Sequence, residues 1–406
     1  MRSTGPRFLD ASAAAQLLGV TRQTLYSYVS RGLLRAHAAP AGRGSVYARA
    51  EVERLALRAV QGRKPRAAAR RSLDFGLPVL ESSLSLIADG ELWYRAQRAS
   101  VLAESSTLEE VAALLWGCGD EIPFASMPPH VDTPVIAEAS PLERAMAALP
   151  AMAIQLTPLP HEASPAERHA RCATLVRCMA AALLNTPVSA APLHEQCATA
   201  WGVDAASAAS LRAALVLCAD HELNASSFAA RVVASTNAQL HAAVLGGLAA
   251  LSGPRHGAAS EAVEVLWDQL AADTTDALVA RVLETRSSVP GFGHRLYPSG
   301  DPRATSILAR LPVQPELAAL CGAVQARCGE LPNLDLALVA LRRALGLPRG
   351  SASIIFALGR TVGWLAHALE QQEQGALIRP RASYVGELPS PSAAMPVGRI
   401  VKMKHR

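Results

Sequence analysis

The sequence predicts a mostly α-helical protein, and three observations support this. Half of the residues are apolar, but aromatic residues make up only 4% of the chain. Alanine and leucine dominate the apolar fraction, whereas the β-branched and aromatic residues that favour strands are sparse. Apolar residues recur with helical spacing over residues 167–184 and 205–218. At 406 residues, the chain has room for two to four domains and a large core.

The charge is distributed unevenly between the N-terminus and the rest of the chain. Residues 1–71 contain 14 Lys and Arg against 3 Asp and Glu, a net charge of +11, so the remaining 335 residues carry −6. A basic segment ahead of a mildly acidic body indicates a polyanionic partner for the first part of the chain only.

Residues 10–29 have the spacing of a helix-turn-helix motif. We expect one helix over residues 13–18 that ends at Gly19, and a second over residues 22–30 with Thr21 as its cap. The first residues of the second helix would face the major groove of DNA; these are Arg22, Gln23 and Thr24. Residues 32–58 resemble the wing of MerR/excisionase-type domains. We therefore predict a helix-turn-helix domain over residues 1–58 and a basic linker over residues 59–71, although a helical bundle with a solvated basic face has the same composition.

The cysteines and the apolar runs bear on the compartment and on metal binding. The seven cysteines are scattered without a CxxC pair, so neither a zinc site nor a disulfide framework is indicated. No apolar segment follows the basic residues at the N-terminus, and we find no apolar run of the roughly 18–20 residues that span a bilayer. We expect a reduced, cytoplasmic, soluble protein without a metal.

Two local signals open the body of the chain. Asp89-Gly90 lies between two short alternating runs and predicts a β-hairpin over residues 84–95. A capped helix that ends at Gly117 is predicted within residues 104–117.

The most unusual stretch is VPGFGHRLYPSGDPR, residues 289–303. Its three glycines and three prolines exclude a continuous helix or strand. It combines a histidine with two arginines, groups suited to acid–base chemistry and to binding carboxylates or phosphates. An ordinary polar surface loop is the alternative interpretation.

Four further segments combine polar residues with apolar surroundings. Each has an ordinary explanation, such as the solvated end of a helix, an N-cap or a surface arginine. The segments are ADHELNASS (219–227), GPRHGAAS (253–260), PNLD (332–335), and the arginine-containing pair FALGRTVGWLAH (356–367) and IRPR (378–381).

Taken in order along the chain, with the arginine-containing pair counted as one, these five segments resemble the motifs of the citrate synthase family, and the resemblance covers roughly residues 75–390. It implies a mostly α, citrate synthase-like two-domain helical fold, here preceded by the small helix-turn-helix domain. By analogy, the large domain comprises residues 72–257 and 347–406, and the small domain comprises residues 258–346.

The resemblance also implies roles for individual residues in joining acetyl-CoA to a 2-oxo dicarboxylate. Asp335 would remove the methyl proton, His256 would donate to the thioester oxygen, and His294 would polarise the ketone. The substrate carboxylates would be held by His221, Arg303, Arg360 and Arg379, and the adenine of CoA by Pro290, Gly291, Phe292 and Gly293. No metal or other cofactor is implied. Arg379 matches an arginine that crosses from the partner subunit, which implies a homodimer.

Two classes of function therefore remain open. One is a condensing enzyme, either citrate synthase or, with propionyl-CoA, 2-methylcitrate synthase. The other is a metabolite-sensing, DNA-binding regulator built on a synthase body. The set of candidate site residues favours the enzyme. The basic N-terminus favours the regulator, as do Ser260, where the family commonly has asparagine, and Leu336, where it often has an aromatic residue.

Overall fold

The structure is a computed structural model that describes residues 8–18, 20–38, 45–48, 51–52, 55, 80–119, 121, 123–134, 136, 138–160, 162–254, 256–257, 259–271, 274–382 and 384–387. The chain divides into two compact units, Met1–Ser83 with His294–Pro298, and Leu84–Gly293 with Ser299–Arg406. The division into large and small domains stays a prediction. Several predicted segments lie outside the described residues. They are Gly19, the part of the loop after Ala38 up to Gly44, most of the helix expected over residues 49–58, and the linker over residues 59–71.

The N-terminal part of the first unit is a helix-turn-helix with a small sheet, as predicted. Its elements are β1 (Phe8–Asp10), α1 (Ala11–Leu18), α2 (Arg22–Ser30), β2 (His37–Ala38) and β3 (Ser45–Ala48). The strands form one antiparallel sheet in the order β1-β3-β2. Helix α1 begins two residues earlier than expected, and the Asp10 carboxylate accepts a hydrogen bond from the Ala13 backbone amide at 2.8 Å near its start.

The two helices of this motif are held together by a small apolar core. The Thr21 side chain caps α2 by accepting from the Thr24 backbone amide, which confirms the predicted cap. Leu25 on α2 is fully buried, whereas Tyr26, the next residue, is 53% exposed. The buried residues of this core are Leu9, Ala14, Ala15, Leu18, Leu25, Leu34, Tyr47, Val52 and Leu55.

The second unit begins with the predicted hairpin. Strands β4 (Ser85–Ala88) and β5 (Glu91–Tyr94) pair antiparallel, and β6 (Gln97–Arg98) pairs with β5. Asp89 and Gly90 occupy the turn with φ of 54° and 79°, which is the left-handed backbone of a two-residue hairpin loop.

The rest of the second unit is helical, as the composition predicts. The helices are α3 (Ala99–Ser105), α4 (Leu108–Trp116), α5 (Pro141–Ala153), α6 (Pro165–Leu184), α7 (Leu193–Trp201), α8 (Ala205–Cys218), α9 (Ala225–Ala234), α10 (Leu240–Leu251), α11 (Ala259–Asp268), α12 (Thr275–Thr285), α13 (Pro302–Leu308), α14 (Pro315–Cys328), α15 (Leu334–Ala344) and α16 (Ser351–Gln374). A 3₁₀ turn, Gln269–Ala271, follows α11. The predicted capped helix that ends at Gly117 is confirmed as α4, whose capping box is formed by Thr107 and Glu110 and whose Gly117 has the left-handed conformation.

Helix α16 is the central element of this unit. A Cβ at Gly359 would lie 2.7 Å from Cys218 Cβ, and one at Gly363 would lie 2.3 Å from the Ala219 carbonyl oxygen. The two glycines therefore let the end of α8 lie directly against α16. Within the described ranges, α16 is the one helix long and apolar enough to cross a membrane, but 83% of its most apolar window is buried inside the protein. This burial is typical of a core helix.

Candidate active site

The glycine- and proline-rich loop pairs with the segment that precedes Asp335. Phe292 and Pro332 form an isolated antiparallel bridge. On either side of it, the Gly293 amide donates to the Leu331 carbonyl and the Asn333 amide donates to the Gly291 carbonyl, both at 2.9 Å. Two of the five motifs are therefore joined by backbone hydrogen bonds.

Two glycines of this loop are required by their backbone and by their surroundings. Gly291 and Gly293 have φ of 86° and 72°, which is a backbone conformation that residues with a Cβ rarely adopt. A Cβ on Gly291 would lie 2.9 Å from Leu336 Cβ, and one on Gly293 would lie 2.8 Å from Glu330 Oε1. At Gly291 the loop therefore lies against the start of α15 too closely for a side chain, whereas at Gly293 the Glu330 side chain could move and the positive φ is the main requirement.

Asp335 lies at the second position of helix α15 and is half-buried. The cap of this helix is Asn333, whose side-chain oxygen accepts from the amides of Asp335 and Leu336. Asp335 therefore does not fill the ordinary capping role. Burial of the carboxyl raises its pKa to about 6, and Asp301 adds to this rise while Arg303 opposes it.

Arg303 forms a buried ion pair with Asp301. Arg303 Nε donates to Asp301 Oδ1 at 2.9 Å, and Nη2 donates to Oδ2 at 2.7 Å. Asp301 Oδ2 also accepts from the Leu334 amide at 3.2 Å, directly before Asp335. One buried carboxylate therefore holds both an arginine and the beginning of the helix that carries Asp335.

His256 lies in the turn between α10 and α11. The sequence suggested that it opens the following helix, but α11 begins three residues later, at Ala259. Its Nε2 lies 2.9 Å from Ser226 Oγ, and its ring meets Phe356 edge-on at 6.0 Å between centroids. Burial and then the charge of Arg360 lower its pKa to about 4. The neutral form of His256 expected from the sequence is thus supported. Its causes are burial and the charge of Arg360, and not the helix dipole.

Arg360 extends from the middle of α16 and is 1% exposed. Its Nε donates to the Cys218 carbonyl at 2.9 Å, and its guanidinium lies 4.7 Å from the centre of the Phe356 ring. Its Nη2 is buried and has no hydrogen-bond partner. A buried cationic donor without a partner is costly, so this atom is suited to an anion that enters the site.

His221 is buried in the connection between α8 and α9. Its carbonyl accepts from Asn224 Nδ2 at 3.3 Å. Asp220, the preceding residue, is fully buried and bonds to Ser85 and His367. The sequence identified His221 but not these partners.

His294 belongs to the first unit and is half-buried. Its Nδ1 accepts from the Leu296 amide at 3.2 Å, and its ring centroid lies 5.0 Å from that of Tyr297. The hydrogen of the neutral ring therefore lies on Nε2. The place of His294 relative to the residues of the second unit stays a prediction.

Arg379 lies beyond the end of α16 and is exposed. Its neighbours in the sequence predict apolar surroundings, and within one chain this prediction is wrong. An exposed arginine is compatible with the predicted role across a subunit interface, which stays a prediction.

The second unit contains a carboxyl with a raised pKa, a histidine with a lowered pKa, and two arginines that influence them. Arg360 acts on the pKa of His256, Arg303 acts on that of Asp335, and the two arginines repel each other. Such a site can accept a proton and hold a dianion. Among the described residues, no group of three His, Cys, Asp or Glu comes together to hold a metal ion. That the reaction needs no metal or cofactor stays a prediction.

Comparison with known proteins bears on the family and the fold of the chain. Residues 74–381 match the family model "Citrate synthase, C-terminal domain", and residues 8–59 match "Helix-turn-helix domain". The chain is 36% identical over 187 residues to citrate synthase 2 of Bacillus subtilis (strain 168), which covers 43% of this chain and 50% of that relative. It is 38% identical over 189 residues to 2-methylcitrate synthase 2 of Corynebacterium glutamicum, which covers 43% of this chain and 48% of the relative.

The solved structure of citrate synthase from Thermotoga maritima MSB8 is similar with a TM-score of 0.64 and 25% identity, over 80% of this chain and 97% of that one. The predicted fold class is therefore confirmed. The chain spans about half the length of the curated relatives it matches.

Proposed function

Because the chain belongs to the citrate synthase family, we propose that it condenses acetyl-CoA with oxaloacetate, hydrolyses the citryl-CoA intermediate, and releases citrate and CoA. The observation that carries this proposal is the carboxyl of Asp335, with a pKa raised to about 6, beside the buried cation of Arg303. A base with a pKa close to neutrality is suited to removing a weakly acidic proton next to a thioester.

In this reaction Asp335 takes a proton from the methyl group of acetyl-CoA. His256, kept neutral by burial, donates to the thioester oxygen as enolate charge develops there. The Ser226 hydroxyl gives its one hydrogen to Asn224 Oδ1 at 2.8 Å, so His256 Nε2 carries the ring hydrogen and donates to Ser226 Oγ, a bond that it would exchange for the one to the thioester oxygen. The nucleophilic carbon then attacks the ketone carbon of oxaloacetate, whose oxygen takes a proton, and water cleaves the resulting thioester.

The two arginines and His221 would hold the carboxylates of oxaloacetate. Arg360 Nη2 has no partner in the protein, so a carboxylate oxygen can take this position without breaking an existing bond. His294 would polarise the ketone, and residues 290–293 would hold the adenine of CoA. We also propose the homodimer that the family resemblance implies, in which Arg379 completes the site of the partner, and the exposure of Arg379 is compatible with this role.

The decisive experiment measures the release of free CoA thiol by the purified full chain with oxaloacetate. Acetyl-CoA and propionyl-CoA are compared at equal concentrations, since relatives named citrate synthase and 2-methylcitrate synthase are both similar to this chain. Faster turnover of acetyl-CoA supports the proposal, and faster turnover of propionyl-CoA makes the chain a 2-methylcitrate synthase. Absence of turnover from folded protein contradicts both enzyme assignments.

The pH dependence of turnover provides a first prediction. The reactive form of Asp335 is the carboxylate, and its pKa is raised to about 6, so kcat/KM should fall tenfold per pH unit below about pH 6. His256 has a pKa of about 4 and stays neutral over the same range. Initial rates between about pH 4.5 and 8 test this. A kcat/KM that stays constant down to pH 4.5 would contradict the assignment of Asp335 as the base.

We also propose that the N-terminal helix-turn-helix binds DNA. The observation that favours this second function is the exposed face of α2, which presents Arg22 and Gln23 together with Tyr26. Thr24 is half-buried and its hydroxyl is bonded to Thr21, so Tyr26 is better placed than Thr24 to reach DNA. Arg22 Nη2 bonds to Ser12 Oγ and would exchange this bond for a phosphate or base.

The affinity of the full chain for a mixed-sequence DNA duplex tests this function. The double variant Arg22→Ala, Gln23→Ala should weaken binding about tenfold. It should also reduce the slope of the logarithm of the binding constant against the logarithm of the salt concentration by about 1, because one phosphate contact is lost. The control is Arg327→Gln, which removes an exposed cation in the other unit. Equal affinity for the double variant and the wild type would refute DNA binding through α2. If saturating oxaloacetate and CoA alter the affinity for DNA, the metabolite-sensing regulator is supported as well.

A further inference from the structure

A buried polar cluster lies behind the substrate residues and has no part in the proposed chemistry. Its centre is His367 on α16, which is 1% exposed. His367 Nε2 lies 3.1 Å from Asp220 Oδ1, and Nδ1 lies 3.1 Å from Arg231 Nη1. Three side chains further along α16 accept hydrogen bonds from the Arg231 guanidinium; they are Glu370, Gln371 and Gln374.

The hydrogen-bond partners of His367 determine which ring nitrogen carries its hydrogen. A guanidinium can only donate hydrogen bonds, so His367 Nδ1 accepts from Arg231, and the ring hydrogen lies on Nε2 and is donated to Asp220. Burial alone would raise the pKa of Asp220, but His367, Arg360 and the Ser85 hydroxyl together hold it below its ordinary value. Asp220 is therefore a buried carboxylate stabilised by fixed donors.

The cluster holds the segment that carries His221 from several sides. The Ser85 hydroxyl donates to Asp220 Oδ2 at 2.5 Å and accepts from the Glu222 amide at 2.9 Å, so it bonds to the residues on both sides of His221. Tyr94 Oη bonds to the amide and the carbonyl of Asp220 at 3.3 Å and 3.2 Å.

The backbone of this segment is in a conformation that requires such support. Glu222 has φ of 53°, a left-handed conformation that is unfavourable for a residue with a Cβ. Gly363 brings α16 so close that a Cβ there would lie 2.7 Å from Asp220 Oδ1. The conformation around His221 is therefore imposed by its neighbours and depends on them.

Arg360 and His367 hold the same segment from one helix. They lie seven residues apart on α16, with Arg360 bonded to the Cys218 carbonyl and His367 to the Asp220 side chain. Arg231 reaches the cluster from α9, the helix whose first turn contains Ser226, the partner of His256. The elements that carry Arg360, His221 and Ser226 therefore meet at His367.

We propose that His367 is a positioning residue that fixes Asp220 and His221 and thereby sets the affinity of the site for the 2-oxo dicarboxylate. It acts through His221 and does not take part in the transfer of protons. The inference rests on the proposed function in naming this substrate.

The test compares His367→Leu with His367→Gln. Leucine removes both hydrogen bonds, and we expect the Kd and KM of oxaloacetate to rise about 10- to 100-fold, as for a buried polar group that loses its partner. Glutamine can place a donor near Asp220 and an acceptor near Arg231, so it should restore both constants to within about threefold of wild type. The KM of acetyl-CoA and kcat should change less than about threefold in either variant.

Glu370→Gln is the matched control within the cluster. Glu370 bonds to Arg231 at 2.7 Å, whereas Asp220 is bonded by Ser85, Tyr94 and His367. This variant should lower the thermal midpoint and leave the Kd of oxaloacetate near that of wild type. If all three variants lower the thermal midpoint and change the constants of both substrates alike, the cluster is merely structural and the inference fails.

If His367→Leu does not fold, His367→Asn replaces it, because the shorter amide cannot reach both partners.

Calorimetric binding of oxaloacetate without acyl-CoA separates this inference from the proposed function. Wild-type protein that binds oxaloacetate tightly but turns over no thioester refutes the synthase, whereas weaker binding by His367→Leu still supports the role of His367. Unchanged binding by a folded His367→Leu overturns the inference while turnover by the wild type supports the enzyme. A wild-type chain that does not bind oxaloacetate overturns both.

Discussion

Replacing Asp335 with asparagine is expected to reduce CoA release by about 10²- to 10⁴-fold, the usual contribution of a positioned general base. Asparagine keeps the size of the side chain but cannot accept the methyl proton. Exchange of the methyl protons of acetyl-CoA with deuterated water should be lost in parallel. The Kd of oxaloacetate should stay within about threefold of wild type, because the carboxylates of this substrate are assigned to the arginines.

The stability of the same variant is a control on its fold. The pKa of Asp335 lies above its ordinary value, so the native state binds this proton more tightly than the unfolded state does. The carboxyl therefore stabilises the fold most below about pH 4, and that contribution is lost as the pH rises through about 6. Asp335→Asn should consequently melt no lower than wild type at pH 7 to 8.

Asp276→Asn is a matched control for the substitution itself. Asp276 has the second position of α12, as Asp335 has in α15, but it is exposed and paired with Arg327. Its hydrogen bonds to Arg327 lower its pKa, so it cannot act as a base near neutrality. Turnover should be unaffected by this change. Substantial turnover by Asp335→Asn would reject Asp335 as the base.

Much of the fold was predictable because its signals are local. Thr21 capping α2, the Asp89-Gly90 turn and the capping box of α4 each depend on residues within four positions of one another. The five motifs are recognisable for a similar reason, because each is a short contiguous segment that resembles a family motif by itself. Gly291 and Gly293 are required by their positive φ and by the close approach of Leu336 and Glu330.

The unpredicted features depend on contacts between distant parts of the chain. Asp301 bonds to the Leu334 amide across 33 residues, and His367 bonds to Asp220 across 147. Neither hydrophobic periodicity nor turn chemistry carries information on such pairs. The low pKa of His256 was expected, but its cause was not, because only the fold places Arg360 near that ring. For Arg360, the signal in the sequence was a charged residue among apolar neighbours. Apolar neighbours also surround Arg379 in the sequence, but there the signal was misleading because Arg379 is exposed.

Arg360 is the second residue whose replacement should have a large effect. In Arg360→Gln the carboxylate of oxaloacetate loses a cationic donor in a buried site, and we expect its Kd to rise by at least about 100-fold, or roughly 3 kcal/mol. Because Arg360 helps to lower the pKa of His256, that pKa should move back towards its ordinary value in the variant. Calorimetry measures the first effect, and the pH dependence of the His256 ring signals in NMR spectra measures the second.

Arg177→Gln separates a missing binding group from a damaged core. Arg177 is also buried and also lies over a phenylalanine, 5.4 Å from the Phe124 ring centre, but its two terminal nitrogens donate to the carbonyls of Ser126 and Phe124. Its loss should lower the thermal midpoint and leave the affinity for oxaloacetate unchanged. Arg360 has a hydrogen bond from Nε to the Cys218 carbonyl but no partner for Nη2, so without ligand Arg360→Gln should lose less stability than Arg177→Gln. It should also lose the rise in melting temperature that oxaloacetate confers on wild type. If instead Arg360→Gln destabilises the free protein as much as Arg177→Gln does and still gains stability from oxaloacetate, then Arg360 supports the core and the dicarboxylate binds elsewhere.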